Sequence, residues 1–385
     1  MAGKTVVILG GGVGGLTTAK YLARWLPSEH RIVLIERNPR HCFAPSLLWL
    51  VFGWRRPDAI CRPLRDLLPS RVEVVQATVE RIDLKGGSVR VDGRSIGYDY
   101  LVVSLGASLA YDSAPGLFPT AYSFYELEQA VRLQEAVAQF KGGKVVILIP
   151  AVPYKCPPAP YEMAFLLDYY LHKKGLRGRS SISVYTLEPA PLQAAGPNAT
   201  QGLLALLKER GIGFSPQHRW KAIEPQKRVL TFENGAAVEY DLLIAIPPHQ
   251  APAVVREAGL TDQRGWVPVD KGTLRTSHPQ VYALGDVTVI PLPTGFALPK
   301  AGVFAHGQGK VVARNLTAEI SGRGIPGVYN GFGACFLEVG HGRAGFMSGV
   351  FYTQEGFPTI HLRQPALWWH WGKVLFERRW LRGNF

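Results

Sequence analysis

Residues 4–15 read KTVVILGGGVGG, and this stretch decides the fold. A run of apolar and β-branched residues leads into a glycine-rich turn, and a helical run follows it. A second apolar strand, residues 32–35, ends at Glu36. Strand, glycine turn, helix, strand and terminal acid in this order are typical of a dinucleotide-binding unit. We expect Glu36 to meet a ribose, and the pyrophosphate to lie against three glycines, Gly10, Gly12 and Gly15.

A second unit of the same kind begins at residue 144, but its turn has a different composition. Residues 144–162 read KVVILIPAVPYKCPPAPYE, and residues 150–162 contain no glycine. A pyrophosphate needs glycines for close backbone approach, and prolines supply neither the room nor the N–H donors. We therefore expect one bound dinucleotide, with the thiol of Cys156 where a second would have bound.

Strands and helices alternate through most of the chain. This alternation predicts an α/β fold with two Rossmann-like dinucleotide-binding domains, followed by a membrane-associating segment. The domains are expected at residues 1–112 with 262–325, at residues 113–261, and at residues 326–385.

The composition is that of a globular protein with a basic surface. The chain has 385 residues, 47% of them hydrophobic, and a formal net charge of +14. Such a charge suits nucleic acid, an anionic membrane surface or an anionic substrate, although a soluble or thermophile-like surface would also explain it. We exclude nucleic acid because the basic residues are scattered and form no Lys/Arg block. The first strand begins near the N-terminus and no apolar run is long enough to cross a bilayer, so we expect an intracellular protein that does not span a membrane.

The C-terminal tail is distinctive. Residues 368–382 read WWHWGKVLFERRWLR, which places four of the nine tryptophans beside four cations. Tryptophan favours the water–lipid boundary and Lys/Arg favour anionic headgroups, so the tail predicts contact with an anionic membrane surface. A helix packed on the body through its tryptophans is the alternative.

Candidate catalytic residues lie around the second turn. Two prolines and a predicted helix follow Cys156, so we expect this thiol at a helix N-terminus, where the helix dipole favours the thiolate. A buried structural cysteine is the alternative. Glu162, in the first turns of that helix, either stabilises the helix end or relays a proton. Cys335, in an apolar and glycine-rich strand, reads by itself as a core residue.

Two further residues suit a flavin. Asp286 follows a buried strand and a glycine, an arrangement that fits a hydrogen bond to a ribityl hydroxyl. Lys300 begins the next predicted helix, where a cation and the helix N-terminus would stabilise negative charge on a reduced flavin ring. A solvated surface lysine is the alternative.

Together these residues resemble the sulfide:quinone oxidoreductases and the flavoprotein subunit of flavocytochrome c sulfide dehydrogenase, relatives of type II NADH dehydrogenases. The segments that carry the resemblance are 154–162, 246–248, 265–269, 285–286, 299–302 and Cys335. It implies FAD on the first domain, with Val79 and Gly106 among its contacts. It also implies a redox-active Cys156–Cys335 disulfide with Glu162 beside it, and no metal.

The implied reaction begins when hydrosulfide attacks the Cys156–Cys335 disulfide, and FAD then passes two electrons to an acceptor. Quinone is the favoured acceptor, and a peripheral enzyme on the cytoplasmic face of the membrane is expected. Transfer to a cytochrome c and an NADH:quinone activity are the alternatives. The sequence leaves the oligomeric state open, and a homo-oligomer is compatible with it.

The chain also departs from these families. Many sulfide:quinone oxidoreductases use a third cysteine, which has no clear counterpart here. In the cytochrome-linked relatives a cysteine after the second strand binds FAD covalently. Cys42 lies about two residues from that position, so a packed core thiol is the favoured interpretation of Cys42 and a structural role that of Cys61.

Overall fold

The computed structural model describes residues 3–118 and 120–385. Within them, the strands are β1 (Thr5–Leu9), β2 (Arg31–Glu36), β3 (Arg40–Cys42), β4 (Cys61–Pro63), β5 (Val72–Gln76), β6 (Val79–Asp83), β7 (Ser88–Val91), β8 (Arg94–Gly97), β9 (Tyr100–Val103), β10 (Ser108–Leu109), β11 (Gly143–Ile149), β12 (Ser180–Thr186), β13 (Gly213–Ser215), β14 (Trp220–Glu224), β15 (Val229–Phe232), β16 (Ala237–Glu239), β17 (Leu242–Ala245), β18 (His249–Gln250), β19 (Val267–Pro268), β20 (Val281–Ala283), β21 (Thr288–Val289), β22 (Phe332–Glu338), β23 (Ala344–Val350) and β24 (Ile360–Ala366).

The α-helices of the same residues are α1 (Val13–Trp25), α2 (Leu47–Val51), α3 (Pro57–Ile60), α4 (Leu127–Gln139), α5 (Ala159–Lys173), α6 (Pro197–Glu209), α7 (Ala253–Glu257), α8 (Gly302–Ser321) and α9 (Leu367–Trp380). Short 3-10 turns lie at Ala44–Ser46, Leu64–Leu67, Tyr111–Ser113, Arg177–Arg179, Gln193–Ala195 and Gly285–Val287.

Two parallel sheets form the body of the molecule. The first has the strand order β20-β9-β1-β2-β5 and the second the order β13-β12-β11-β17. Their central strands are continuous apolar runs because helices or loops cover both faces. All of β1 after Thr5 is fully buried. The α/β fold expected from the sequence is therefore present.

The chain returns to the first sheet after completing the second. β20 pairs with β9 in parallel, with Val281 opposite Leu101. The carboxyl ends of four strands of this sheet therefore face the same edge. Gly10 follows β1, Glu36 ends β2, Gly106 comes soon after β9, and Asp286 comes soon after β20. In an open α/β sheet this edge is where a ligand binds.

The last part of the chain forms a third, antiparallel sheet, β22-β23-β24, with α9 packed against it. Cys335 lies on β22, opposite Met347 of β23. β22 also packs against α5, which begins three residues after Cys156. This packing brings two cysteines from distant parts of the sequence to one region.

Candidate active site

The glycine turn after β1 has the shape of a phosphate cradle. Gly10 has φ +100°, and a Cβ there would lie 2.4 Å from the carbonyl oxygen of Ser104. A Cβ at Gly15 would meet the carbonyl oxygen of Gly10 even more closely. Gly12 is the N-cap of α1, and no described side chain caps this helix end or lies within 4 Å of where its Cβ would be. The turn thus offers open backbone N–H groups at a helix N-terminus, which favours an anion.

Glu36 lies beside this turn. Its carboxylate accepts hydrogen bonds from the backbone N–H of Gly11, at 2.7 Å, and of Asn38, at 2.8 Å. Val79 begins β6, three residues after β5 ends beside Glu36. Gly106 has φ +67° and open space around it. These positions suit contacts along a dinucleotide.

Asp286 and Lys300 lie at the same sheet edge. The Asp286 Oδ1 atom is buried and has no hydrogen-bond partner among residues 3–118 and 120–385. Burial raises the pKa of Asp286, while the charges of Lys155 and Lys300 lower it. A buried, unpartnered carboxylate oxygen is costly unless a ligand completes its bonding. Asp286 therefore fits a ligand hydroxyl in the cradle.

Lys300 is buried, at 7% exposure, and is not a surface lysine. Its Nζ donates to the carbonyl oxygens of Asp286, at 2.7 Å, and Thr288, at 2.9 Å, and lies 3.4 Å from the centre of the Trp266 ring. Burial lowers the pKa of Lys300 to about 8. It comes two residues before α8, so the cation and that helix N-terminus are close together.

Cys156 and Cys335 carry free thiols and line the same cavity of about 740 Å³. The other lining residues are mostly apolar, and Lys300 and Trp266 are among them.

Burial raises the pKa of both thiols. The pKa of Cys335 rises to about 12, and the pKa of Cys156 is raised by burial and, in addition, by the charge of Cys335. The direction expected for Cys156 was therefore wrong, because burial outweighs the effect of the helix end. Its backbone, at φ +53°, is held by a 2.7 Å bond from its N–H to the carbonyl of Lys300.

Glu162 is buried next to both thiols, and its charge raises the pKa of each. Its Oε1 accepts hydrogen bonds from Lys373 Nζ and from the backbone N–H of Glu338, both at 2.8 Å. Burial raises the pKa of Glu162, and the charge of Lys373 opposes that effect. A buried carboxylate with a raised pKa can hold or release a proton, which is the chemistry that a general acid or base needs.

Several residues of this region were not predicted from the sequence. Lys373 of α9 reads in the sequence as one cation of a basic tail, yet it is 3% exposed. His249 has both ring nitrogens buried without a described partner, and burial lowers its pKa to about 3. The Tyr125 hydroxyl donates to the carbonyl of Lys155 at 2.7 Å. Only the position of His249 soon after β17, a parallel strand, gave a sequence signal for any of these residues.

The second sheet has no glycine cradle at the end of β11. Tyr154 is buried there, and its hydroxyl donates to Glu188 Oε2 at 3.1 Å. Glu188 follows β12, where a second dinucleotide would place a ribose. Tyr154 and Thr186 bond this carboxylate instead. The single dinucleotide site therefore stays a prediction, and this hydrogen bonding of Glu188 is compatible with it.

Cys42 and Cys61 form a disulfide, with a sequence separation of 19. The interpretation of Cys42 as a packed core thiol was therefore wrong, and Cys42 has no free thiol for covalent attachment of FAD. The reason is the pairing of β3 with β4, which places Cys42 directly opposite Cys61. The structural role expected of Cys61 agrees with this pairing.

Residues 4–148 and 162–309 match the family model of the pyridine nucleotide-disulphide oxidoreductases. The sulfide-quinone reductase of Aquifex aeolicus is 30% identical over 98% of this chain and 90% of its own length. The chain belongs to the sulfide:quinone oxidoreductase branch of this family. The mitochondrial sulfide:quinone oxidoreductase of Mus musculus is 26% identical over 97% of the chain and 88% of its own length.

The crystal structure of the Aquifex aeolicus sulfide:quinone oxidoreductase superimposes with a TM-score of 0.86 and 29% identity, over 99% of this chain and 92% of that one. These likenesses favour an oxidoreductase of this branch over the cytochrome-linked and NADH-dependent alternatives. Proteins of the family are FAD-dependent, and the glycine cradle, Glu36 and the unpartnered Asp286 oxygen fit FAD.

Proposed function

We propose that this chain oxidises sulfide through a redox disulfide between Cys156 and Cys335 and transfers the electrons to a membrane quinone. The observation that carries the proposal is the shared cavity of the two thiols, beside Lys300 and Trp266. The likeness to sulfide:quinone oxidoreductases over nearly the whole chain supports it. FAD, when bound, accepts two electrons at a time and passes them on.

The residues act in a defined order. In the oxidised pair, hydrosulfide forms a bond to one cysteine sulfur and the Cys156–Cys335 bond breaks, which leaves a persulfide and a thiolate. Glu162 takes up a proton next to the reacting sulfur, and Lys373 holds its carboxylate in place. The apolar cavity keeps bulk water away from these groups.

Single substitutions of the two cysteines test this function. Cys156→Ser and Cys335→Ser should each abolish bleaching of the flavin absorbance by sulfide, with the FAD content and the melting temperature unchanged. Dithionite should still bleach both variants, which controls for flavin competence. Bleaching by sulfide at the wild-type rate in either variant would contradict the proposal.

We further propose that the FAD-binding domain comprises residues 1–112 and 262–325, that residues 113–261 form the second Rossmann-like domain, and that residues 326–385 face quinone and membrane. In this proposal the FAD contacts are Gly10, Gly12, Gly15, Glu36, Val79, Gly106, Asp286 and Lys300. The return of β20 to the first sheet supports the discontinuous first domain.

The proposed membrane contact is the outer face of α9. Trp368, Trp371 and Leu375 recur at helical spacing and are 57–69% exposed, whereas Glu377 and Trp380 are buried on the opposite face. None of the helices in the described residues is long and apolar enough to cross a membrane. An interfacial helix is thus the form of attachment that this face supports, at the cytoplasmic surface of the membrane.

A basic groove continues this face. The groove has a volume of about 630 Å³, and three cations, Lys20, Arg24 and Arg379, are among the residues that line it. None of the described lining residues is acidic. Arg379 lies one helical turn after Leu375, on the same side of α9. The groove therefore suits the anionic headgroups of lipids next to Trp368, Trp371 and Leu375, if these side chains insert into the membrane.

A further inference from the structure

Both polar backbone groups of Gly11, in the glycine turn after β1, bond to side chains of the protein. Its N–H donates to Glu36 Oε2 at 2.7 Å, and its carbonyl oxygen lies 3.0 Å from Nδ1 of His41. Gly11 is buried, so a carbonyl group without a partner would be costly there. The partner comes from outside the glycine motif, because His41 belongs to β3.

The protonation of the His41 ring follows from its two hydrogen bonds. A carbonyl oxygen only accepts hydrogen bonds, and the indole N–H of Trp380 only donates, here to Nε2 of His41 at 2.9 Å. His41 therefore donates from Nδ1, accepts at Nε2 and is neutral. Burial lowers the pKa of His41, which agrees with the neutral ring. Two direct hydrogen bonds thus join the glycine turn to α9.

The bond to the Gly11 carbonyl also fixes the direction of the next backbone donor. This carbonyl and the N–H of Gly12 belong to one trans peptide unit, in which the two groups point to opposite sides. The N–H of Gly12 therefore points away from the His41 ring. Gly12 is the N-cap of α1, and its N–H is one of the donors that this helix end offers to an anion.

Both rings are held in place by their surroundings. Trp380 is 1% exposed and stacks on Phe385 with the ring centres 4.2 Å apart. His41 is 8% exposed, and the residue after it, Cys42, is bound to Cys61 by the disulfide. A displacement of Trp380 would therefore act on the glycine turn through His41.

We propose that His41 is a positioning residue for FAD and that α9 stabilises bound FAD through this residue. The bond from Trp380 selects the tautomer of His41 with its proton on Nδ1, and that N–H orients the peptide unit between Gly11 and Gly12 for the pyrophosphate. The inference rests on the FAD contact proposed above for Gly12 and is independent of the sulfur chemistry. It makes the C-terminal helix, far from the glycine motif in sequence, part of the FAD site.

Two amide substitutions of His41 separate its two hydrogen bonds. The amide nitrogen of Asn takes the place of Nδ1 and keeps a donor for Gly11, whereas the longer Gln places its oxygen near Nε2 and keeps an acceptor for Trp380. The rise in flavin fluorescence after dilution of the FAD-loaded enzyme measures FAD release. Release should be about fivefold faster in His41→Gln, the factor expected for one lost hydrogen bond, and within about twofold of the wild type in His41→Asn.

Substitution of Trp380 tests the contribution of α9. Trp380→Phe removes the indole donor and should make FAD release about threefold faster, because the tautomer of His41 is no longer fixed. The same change should have little effect in His41→Asn, whose amide needs no partner to keep its donor. The matched control is Val374→Ala, at another buried position of α9, which should lower the melting temperature without faster FAD release.

Three outcomes would overturn the inference. FAD release at the wild-type rate in His41→Gln would contradict the positioning role. Equally fast release in His41→Asn and His41→Gln, with an equal fall in melting temperature, would mean that His41 only packs. An effect of Trp380→Phe that persists in full in His41→Asn would contradict the role of α9. Failure of sulfide to bleach the wild-type flavin is a different result, because it would contradict the proposed function and leave FAD release unchanged.

Discussion

At the scale of single residues, burial sets the protonation of the site more than helix ends do. Both thiols have raised pKa values, since the apolar cavity disfavours the thiolate. Lys373 is the counterweight, because its charge lowers the pKa of Cys156, Cys335 and Glu162. Removal of a buried charge such as that of Lys373 destabilises the folded state mainly because its partner is left buried and uncompensated.

Replacement of Lys373 by the neutral, similarly sized Met should destabilise the protein by about 3–5 kcal/mol, because Glu162 would remain buried without its partner. The pKa of Glu162 should rise in this variant. Urea unfolding measures the loss of free energy. The double variant Glu162→Gln/Lys373→Met should recover much of it, and additive losses in the double-mutant cycle would contradict the pairing.

Lys300 predicts a pH dependence of stability. Its folded pKa of about 8 lies below the 10.5 of a free lysine, so the unfolded state binds more protons between these values. The free energy of unfolding of the flavin-free protein should therefore rise with pH across this window, by up to about 3 kcal/mol. Urea unfolding at about pH 7.5 and about pH 9.5 checks this. The quantity to compare is the free energy of unfolding of the wild type minus that of Lys300→Met at each pH. A difference between the two proteins that does not change with pH would contradict a lowered pKa of Lys300.

At the scale of elements, α9 connects the candidate site to the surface. Its inner face makes specific polar contacts besides Lys373. Glu377 accepts bonds from Ser46 and Arg55, and Trp380 Nε1 donates to His41 at 2.9 Å. His41 Nδ1 lies 3.0 Å from the carbonyl oxygen of Gly11, in the glycine turn. The helix is therefore fixed to the cradle on one side, and Trp368 and Trp371 are exposed on the other.

Substitution of Trp368, Trp371 and Leu375 by Ala should weaken binding to anionic phospholipid vesicles with little change in melting temperature, because these side chains are exposed. Vesicle co-sedimentation measures the binding. A matched control is Ile325→Ala/Val328→Ala, which removes two other apolar side chains, each 74% exposed. Equal vesicle binding by the triple variant and the wild type would contradict the proposal that α9 contacts the membrane.

The Cys42–Cys61 disulfide closes a short loop between β3 and β4. With a separation of 19 residues, its removal by Cys61→Ser should cost about 3 kcal/mol in the chain-entropy model. Wild-type protein unfolded in the presence of a reductant should lose the same free energy of unfolding.

The disulfide also leaves Cys42 without a thiol for covalent attachment of FAD. Acid precipitation should therefore release FAD into the supernatant, and flavin retained in the pellet would mean covalent attachment.

At the scale of the whole molecule, the sequence predicted what depends on local patterns. The glycine turn, Glu36 and the strand before Asp286 follow from short motifs, and the structure has strands β1, β2 and β20 at these places. Contacts between distant elements could not be predicted in this way. The burial of Lys373, the ring of His41 between Gly11 and Trp380, and the pairing of Cys42 with Cys61 all depend on how separate elements pack.

The charge of the whole chain also has a consequence that can be tested. Its net +14 should make vesicle binding depend on anionic lipid and weaken it as salt rises, since the Debye length shortens to about 3 Å at 1 M salt. The apolar contacts of α9 should persist at high salt. Salt-dependent co-sedimentation separates these two contributions, and binding that is indifferent to both salt and lipid charge would contradict the role of the basic groove.

The most direct test is the anaerobic absorbance of the FAD-loaded protein titrated separately with sulfide and with NADH. The absence of a glycine turn after β11 and the two thiols in one cavity predict bleaching by sulfide, no bleaching by NADH, and recovery of the flavin absorbance on addition of a short-chain quinone. Bleaching by NADH and not by sulfide would contradict both the single dinucleotide site and the sulfur chemistry at Cys156 and Cys335.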